Sequence, residues 1–278
     1  MSLTNLQARR VLVTGAASGI GLETALAFAR QGAVLIITDI NVEALSRAQQ
    51  AVRQTGAACH AYVADVSDAA DMEALARRVS DEHGVLDVLV DNAGIAFLGS
   101  FECTPLSQWQ RTLGINVLGV VHGCHYFLPS MREAGGARHI VNIASAAGLA
   151  PTFNMSAYAA SKHAIIGFTE CLSLELEGSN VSVSVVCPGV INTPIAQPSA
   201  SSVGSNIRPD QLAKLGRFYA EKGAHPSVVA ASVVEAVRSG RGMVLVGPYA
   251  ALIYHLRRIS RRLLRKILIA DSRKMGWI

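Results

Sequence analysis

The chain is poorly equipped to hold a metal or a disulfide framework. Its five cysteines, at positions 59, 103, 124, 171 and 187, are odd in number, widely spaced and without a C-x-x-C pair. This excludes a zinc ribbon and a stapled secreted scaffold, and fits a reducing cytoplasm. The eight histidines show no H-E-x-x-H or related ligand spacing, so each is assigned to surface or core and no metal is expected. Aromatic residues make up 5% of the chain and charged residues 16%, against 50% hydrophobic, a globular composition that excludes disorder. No apolar run reaches the length of a transmembrane helix, about 20 residues. The opening MSLTNLQARR lacks the apolar core of a signal peptide. No Pro-rich, Gly-rich or low-complexity linker interrupts the 278 residues, so one domain is expected over 1–249 with an extension over 250–278.

The net charge of +5 is unevenly placed, because residues 250–278 carry eight Lys/Arg against one acid, Asp271. That surplus of seven leaves the rest of the chain two charges negative, so no nucleic-acid surface is implied on the main domain. On a helical wheel Leu252, Leu256, Ile259, Leu263 and Ile267 form one apolar stripe flanked by Ile253 and Leu264. Arg257, Arg258, Arg261, Arg262 and Arg265 take the other side. The expectation is a basic amphipathic helix, with three uses open: a membrane-surface anchor, packing on the domain, or contact with a second subunit.

What is present in abundance is alternation. Apolar runs at 10–15, 33–39, 58–66, 86–94, 138–145, 181–189 and 242–247 are separated by segments of helical spacing at 19–31, 41–55, 68–83, 105–134, 156–177 and 226–239. Repeated βα units predict a doubly wound α/β (Rossmann) fold with a mostly parallel seven-stranded sheet, covered on both faces. Ligands of such sheets lie beyond the carboxyl ends of the strands.

After the first strand comes TGAASGIG, Thr14 to Gly21, leading into a helical segment. Glycines at 15, 19 and 21 let the backbone turn and approach a pyrophosphate, which the helix N-terminus attracts. The second strand ends in Asp39, where a carboxylate accepts hydrogen bonds from an adenosine ribose diol and repels a 2′-phosphate. Neither Ser18 nor Ile40 offers a positive charge, so NAD is favoured over NADP. The helical segment SAYAASKHA places Tyr158 and Lys162 one turn apart on one face. A phenol with a pKa of about 10 becomes a useful acid–base group near neutrality when a cation stabilises its phenolate. His163 points off that face and receives no role.

Taken with DNAG at 91–94, GINVLG at 114–119, IASAAG at 143–148 and CPGVINTP at 187–194, the motifs TGAASGIG and YAASK stand in an order that resembles the short-chain dehydrogenase/reductase family over roughly residues 8–248. The resemblance implies that Tyr158 is the general acid for carbonyl reduction and the base for alcohol oxidation. Lys162 would lower the Tyr158 pKa and bond the nicotinamide ribose. Ser145 would hold the substrate oxygen, and Asn116 a water that relays protons to Lys162. It further implies cofactor contacts from Gly15, Ser18, Gly19, Ile20 and Gly21, from Asp39, from Asp65 and Val66 at the adenine, and from Asn92, Ala93 and Gly94 beneath the cofactor. Pro188, Gly189 and Thr193 match the loop that receives the carboxamide. Asp91 departs from the family, which more often has Asn there. Assembly as a homodimer or homotetramer through the helices bearing Asn116 and Tyr158 is also implied.

The stretch 195–225 reads as a lid, with Leu212, Leu215, Phe218 and Tyr219 able to face inward. Lid and tail together suggest a lipophilic alcohol or ketone of steroid, retinoid or long-chain acyl type. A 3-oxoacyl thioester reductase is the alternative within the family, opposed by Asp39. A non-catalytic nucleotide sensor is the alternative of another class, opposed by the set Asn116, Ser145, Tyr158 and Lys162.

Overall fold

The computed structural model describes residues 3–278; Met1 and Ser2, the first two residues of the expected domain, lie outside the described residues. Seven strands form the sheet: β1 (Arg10–Thr14), β2 (Val34–Asp39), β3 (Cys59–Val63), β4 (Val88–Asp91), β5 (Arg138–Ile143), β6 (Val181–Pro188) and β7 (Met243–Val246). Their order is β3-β2-β1-β4-β5-β6-β7, with every neighbouring pair parallel. Strand order reverses at β1, which pairs with β2 on one side and β4 on the other. The crevice beyond Thr14 is therefore the ligand position that doubly wound sheets favour.

Alternation along the strands decides which residues meet which layer. Val11, Val13, Leu35 and Ile37 join one buried cluster with α1 (Gly19–Ala29), α2 (Val42–Arg53) and α8 (Pro226–Ser239), through Phe28, Leu45 and Val233. Leu12, Ile36 and Leu89 face the other cluster, formed with α3 (Ala69–His83), α5 (Gly119–Glu133) and α6 (Ser156–Glu175), through Met72, Phe127 and Ile165. Period-two strands buried on both faces read as near-continuous apolar runs for this reason. Truncating the fully buried Phe28 to Ala costs about 3–5 kcal/mol at such a site.

Two helical expectations change. The segment expected as one helix over 105–134 is α4 (Leu106–Leu113) and α5, joined by a π-helical turn at Gly114–Leu118 in which the Gly119 N–H bonds the Gly114 carbonyl. The single basic tail helix is two, α9 (Ala250–Ile259) and α10 (Arg261–Met275), because Ser260 takes an extended conformation (φ −155°) and its hydroxyl caps α10 at Leu263 N–H. Among the described residues, no helix is long and apolar enough to cross a membrane.

The expected lid contains short turns at Pro194–Ala196 and Ala200–Ser202 and then α7 (Pro209–Lys222). Its ends are pinched together where Asn192 N–H donates to Ala224 O and Ala224 N–H donates to Val190 O, each at 3.0 Å. Leu212, Leu215, Phe218 and Tyr219 are half-buried as expected. The deepest residue of α7 is nevertheless polar: Gln211 is buried and donates to Gly276 O past the end of α10.

Candidate active site

The glycine loop is stitched to the next strand by side chains the motif alone does not advertise. Thr14 Oγ1 accepts the N–H groups of Asn92 and Ala93 at 3.0 and 3.1 Å. Asn92 Nδ2 donates back to Thr14 O at 2.9 Å and to Gly15 O at 3.1 Å. The loop turns through Gly15 at φ +61°, and a Cβ on Gly21 would stand 2.2 Å from Gly15 O, so only glycine permits that approach. Ser18 makes no side-chain capping bond at the start of α1, so the orphan N–H groups of the first turn are offered to an external acceptor.

Asp39 both supports this loop and faces outward. One carboxylate oxygen accepts Ala17 N–H at 3.1 Å, the other Asn41 N–H at 3.0 Å. Asn41, not Asp39, is the side chain that caps α2, through Ala44 N–H. Beyond β3, Asp65 accepts the N–H and O–H of Ser67 at 2.9 and 2.6 Å, and Val66 beside it is buried against α5. Gly189 N–H donates to Val246 O at 2.8 Å as the chain leaves β6 at Pro188. Buried Thr193 then comes back over the glycine loop, 3.5 Å from where a Gly19 Cβ would be. The half-buried Ile20 follows on α1.

Four residues expected to act together are brought together. Ser145 follows β5 in an extended conformation (φ −172°) and its Oγ caps the short turn Ala146–Gly148 through Ala147 N–H at 3.1 Å. The same hydroxyl is near enough to the Tyr158 phenol to favour its ionised form. Lys162 is 4% exposed, and its Nζ donates to Ile143 O at 2.8 Å. Asn116 sits in the π-helical turn, fully buried. Its Oδ1 accepts Ile95 N–H at 2.8 Å, while Nδ2 donates to Ile95 O at 2.9 Å and to Ser161 Oγ at 3.0 Å. Ser161 in turn donates to Tyr158 O at 2.7 Å, so the Asn116 amide braces the first turn of α6. Gly94 lies between them, its would-be Cβ 3.3 Å from Asn116 Oδ1 and 3.5 Å from Lys162 Nζ.

The expected direction of the Tyr158 pKa is reversed. Burial pushes the phenol up to about 12; the nearby Ser145 hydroxyl opposes that rise, and Tyr219 from α7 adds to it. Burial likewise brings Lys162 down to about 8, with the Cys187 thiol on β6 pulling it back upward. The reason is geometric. Lys162 Nζ is turned to the Ile143 carbonyl and stands 5.8 Å from the centroid of the phenol ring, where its attraction does not overcome desolvation of both groups.

Several participants escaped the sequence reading. Thr14 lay in plain sight before the first glycine, and Ser161 three residues after Tyr158; Tyr219 appeared only as an apolar lid residue. His163 has a partner after all: its Nδ1 lies 2.8 Å from Ala159 O and its Nε2 2.9 Å from Arg257 on α9. Arg257 also donates to Leu149 O, just past the Ser145 turn.

The sequence matches the family model described as "short chain dehydrogenase" over residues 9–203. It is 40% identical over 258 residues to the "Probable oxidoreductase EphD" of Mycobacterium tuberculosis, covering 92% of this chain but 44% of that protein, so the chain spans under half the length of that relative. It is 36% identical over 192 residues to the "D-beta-hydroxybutyrate dehydrogenase" of Cupriavidus necator, covering 69% of this chain and 74% of the relative. A crystal structure of a short-chain dehydrogenase/reductase from Burkholderia phymatum in complex with NAD superposes with a TM-score of 0.85 at 31% identity, covering 94% of this chain and 96% of the other. With its parallel nucleotide-binding sheet and the order of its motifs, the chain belongs to the short-chain dehydrogenase/reductase family of oxidoreductases.

Proposed function

We propose that this chain interconverts a lipophilic alcohol and its ketone or aldehyde using a nicotinamide dinucleotide, with NAD preferred over NADP. The observation that carries the cofactor choice is Asp39. Its carboxylate closes β2, is fixed by two backbone N–H groups, and is followed by the exposed apolar Ile40. A ribose diol can donate to that carboxylate, whereas a 2′-phosphate would meet uncompensated negative charge. The uncapped start of α1 and the close Gly15–Gly21 approach fit a pyrophosphate. The residues holding the cofactor in this reading are Gly15, Ser18, Gly19, Ile20, Gly21, Asp39, Asp65, Val66, Asn92, Ala93, Gly94, Pro188, Gly189 and Thr193, with Tyr158 and Lys162 at the nicotinamide end.

The nicotinamide supplies or accepts the hydride, which leaves the chain to orient the reactants and to manage one proton. In reduction the Tyr158 hydroxyl donates its proton to the carbonyl oxygen while Ser145 Oγ–H donates a hydrogen bond to the same oxygen; in oxidation the phenolate removes the proton. The Lys162 ammonium, 5.8 Å from the centroid of the phenol ring, orients the nicotinamide ribose, and Asn116 holds the water through which the proton is replenished. The half-buried apolar face of α7, with Phe218 stacked on Tyr249 at 6.4 Å between centroids, supports a lipophilic substrate. The same reading makes residues up to 249 the dehydrogenase unit, about 195–225 its lid, and 250–278 an extension, in a cytoplasmic homodimer or homotetramer.

The test is nicotinamide turnover followed by absorbance, with NAD and NADP in turn, against steroid, retinoid, acyl and short-chain alcohols and their ketones. The expected result is NAD-linked activity on a lipophilic member, with Asp39→Ala narrowing the preference for NAD. A cofactor ratio unchanged by Asp39→Ala overturns the cofactor assignment, and activity confined to short polar alcohols overturns the substrate class.

A further inference from the structure

Both C-terminal helices turn one side to the body of the protein, and the sides are not the ones the sequence pattern suggests. With successive residues about 100° apart around a helix, Ala250, Ile253, Tyr254 and Arg257 share the inward side of α9. Of these Ala250 is buried and the others are partly so. On α10 the inward side carries Leu264, Leu268, Ser272 and Met275, with Leu264 and Ser272 buried. The Ile253 and Leu264 flanks of the expected stripe are thus what packs. Most of the stripe faces solvent: Leu252 is 55% exposed, Ile259 79%, Leu263 46% and Ile267 38%, with Leu256 among them half-buried. Seven exposed Lys/Arg accompany these residues between Arg258 and Lys274, and the one acid of the segment, Asp271, is paired with Lys274 at 3.8 Å.

We propose that this outward face of α9 and α10 docks on an anionic lipid bilayer. Packing on the chain's own body is already satisfied by the opposite side of both helices. A second copy docked face to face would press two cationic surfaces together, and like-charge juxtaposition opposes such contacts. A nucleic acid would take the cations but leave four large aliphatic side chains in water. An anionic bilayer answers both: headgroups meet the Arg and Lys side chains while Leu252, Ile259, Leu263 and Ile267 enter the acyl boundary. The face is held in place on the protein side, since Arg257 is bonded to Leu149 O and His163 and Gln211 to Gly276 O.

The experiment is co-sedimentation of the full chain with phosphatidylcholine vesicles, with and without about a quarter phosphatidylglycerol. The chain should pellet with the anionic vesicles and stay in solution with the neutral ones. Arg262→Glu with Lys266→Glu should weaken binding at least about tenfold, and Leu263→Ser with Ile267→Ser should weaken it by a similar factor. Because all four positions are exposed, an unchanged unfolding midpoint should accompany both losses. Failure of the parent chain to pellet with anionic vesicles overturns the proposal outright. Binding unaffected by the Leu263/Ile267 pair overturns it in favour of a polyanion surface. Loss of a larger solution mass in that pair, measured by sedimentation equilibrium without lipid, overturns it in favour of a second copy.

Discussion

Tyr158 and Lys162 stand one turn apart on α6, yet each is shifted in the direction that disfavours its charge, because both are buried. Tyr158→Phe should therefore remove a proton donor without disturbing the nucleotide cradle. Turnover should drop about a hundredfold to ten-thousandfold with NAD affinity within a few fold, read by steady-state kinetics and a binding titration; retained turnover would sink the mechanism. Asp91 makes a separate prediction. Its carboxyl is 2% exposed, with Oδ1 unpartnered and Oδ2 3.7 Å from Cys124 Sγ, and burial holds its pKa well above the usual carboxylate range. The unfolded chain releases this proton near its ordinary pKa and the folded chain does not. The contribution to stability is hence full below about pH 4 and declines as pH rises toward the raised folded pKa, by about 1.4 kcal/mol per unit. Asp91→Asn should remove that decline and be the more stable protein at neutral pH. A midpoint difference that does not widen between about pH 5 and pH 7 in thermal scans would refute it. Residue types were legible at this scale; the direction of a pKa was not, because it depends on burial that a motif does not encode.

At the scale of elements, the strands and most helices follow from periodicity alone, and the exceptions have local causes. The run 105–134 is helical throughout by spacing, but a wider turn at Gly114–Leu118 interrupts it where the buried Asn116 amide bonds Ile95 and Ser161. The tail reads as one amphipathic helix until Ser260 leaves helical conformation and caps the next. The consequence is that Arg257, counted by the wheel as part of a solvated basic side, turns inward. His163 Nδ1 must carry the hydrogen it gives to Ala159 O, so Nε2 accepts from Arg257. Arg257 thereby ties the Ser145 turn, through Leu149 O, to the helix that carries Tyr158. Arg257→Ala should lower kcat about tenfold and stability by about 1–3 kcal/mol, the cost of leaving such partners unmet. Nucleotide KM should change little. Arg257→Lys should restore part of kcat, since both acceptors are met by the single nitrogen Nη1 and an ammonium carries enough hydrogens to serve two. Kinetics indistinguishable from the parent would show that the extension is a bystander to catalysis.

For the whole molecule, the proposed assembly with a second copy has a test in three exposed leucines. Leu113 at 37%, Leu118 at 49% and Leu174 at 78% exposure lie on the α4–α5 segment and on α6, the helices through which the proposed dimer or tetramer assembles. Leu118→Arg with Leu174→Arg should lower the mass in sedimentation equilibrium to that of the monomer, and an unchanged mass would place the interface elsewhere. The order of βα units, the glycine loop, Asp39 and the Tyr158/Lys162 spacing were determined by sequence alone. Each is a local pattern whose meaning follows from backbone geometry within a few residues. Only tertiary structure decided the rest: that Thr14 and Asn92 lock two strands' ends together, that Asn116 reaches Ser161, that Arg257 reaches Leu149, and that most of the tail's apolar stripe faces outward. Those contacts join residues far apart in the chain. Which side of a helix packs is settled by the surface it meets, which no helical wheel contains.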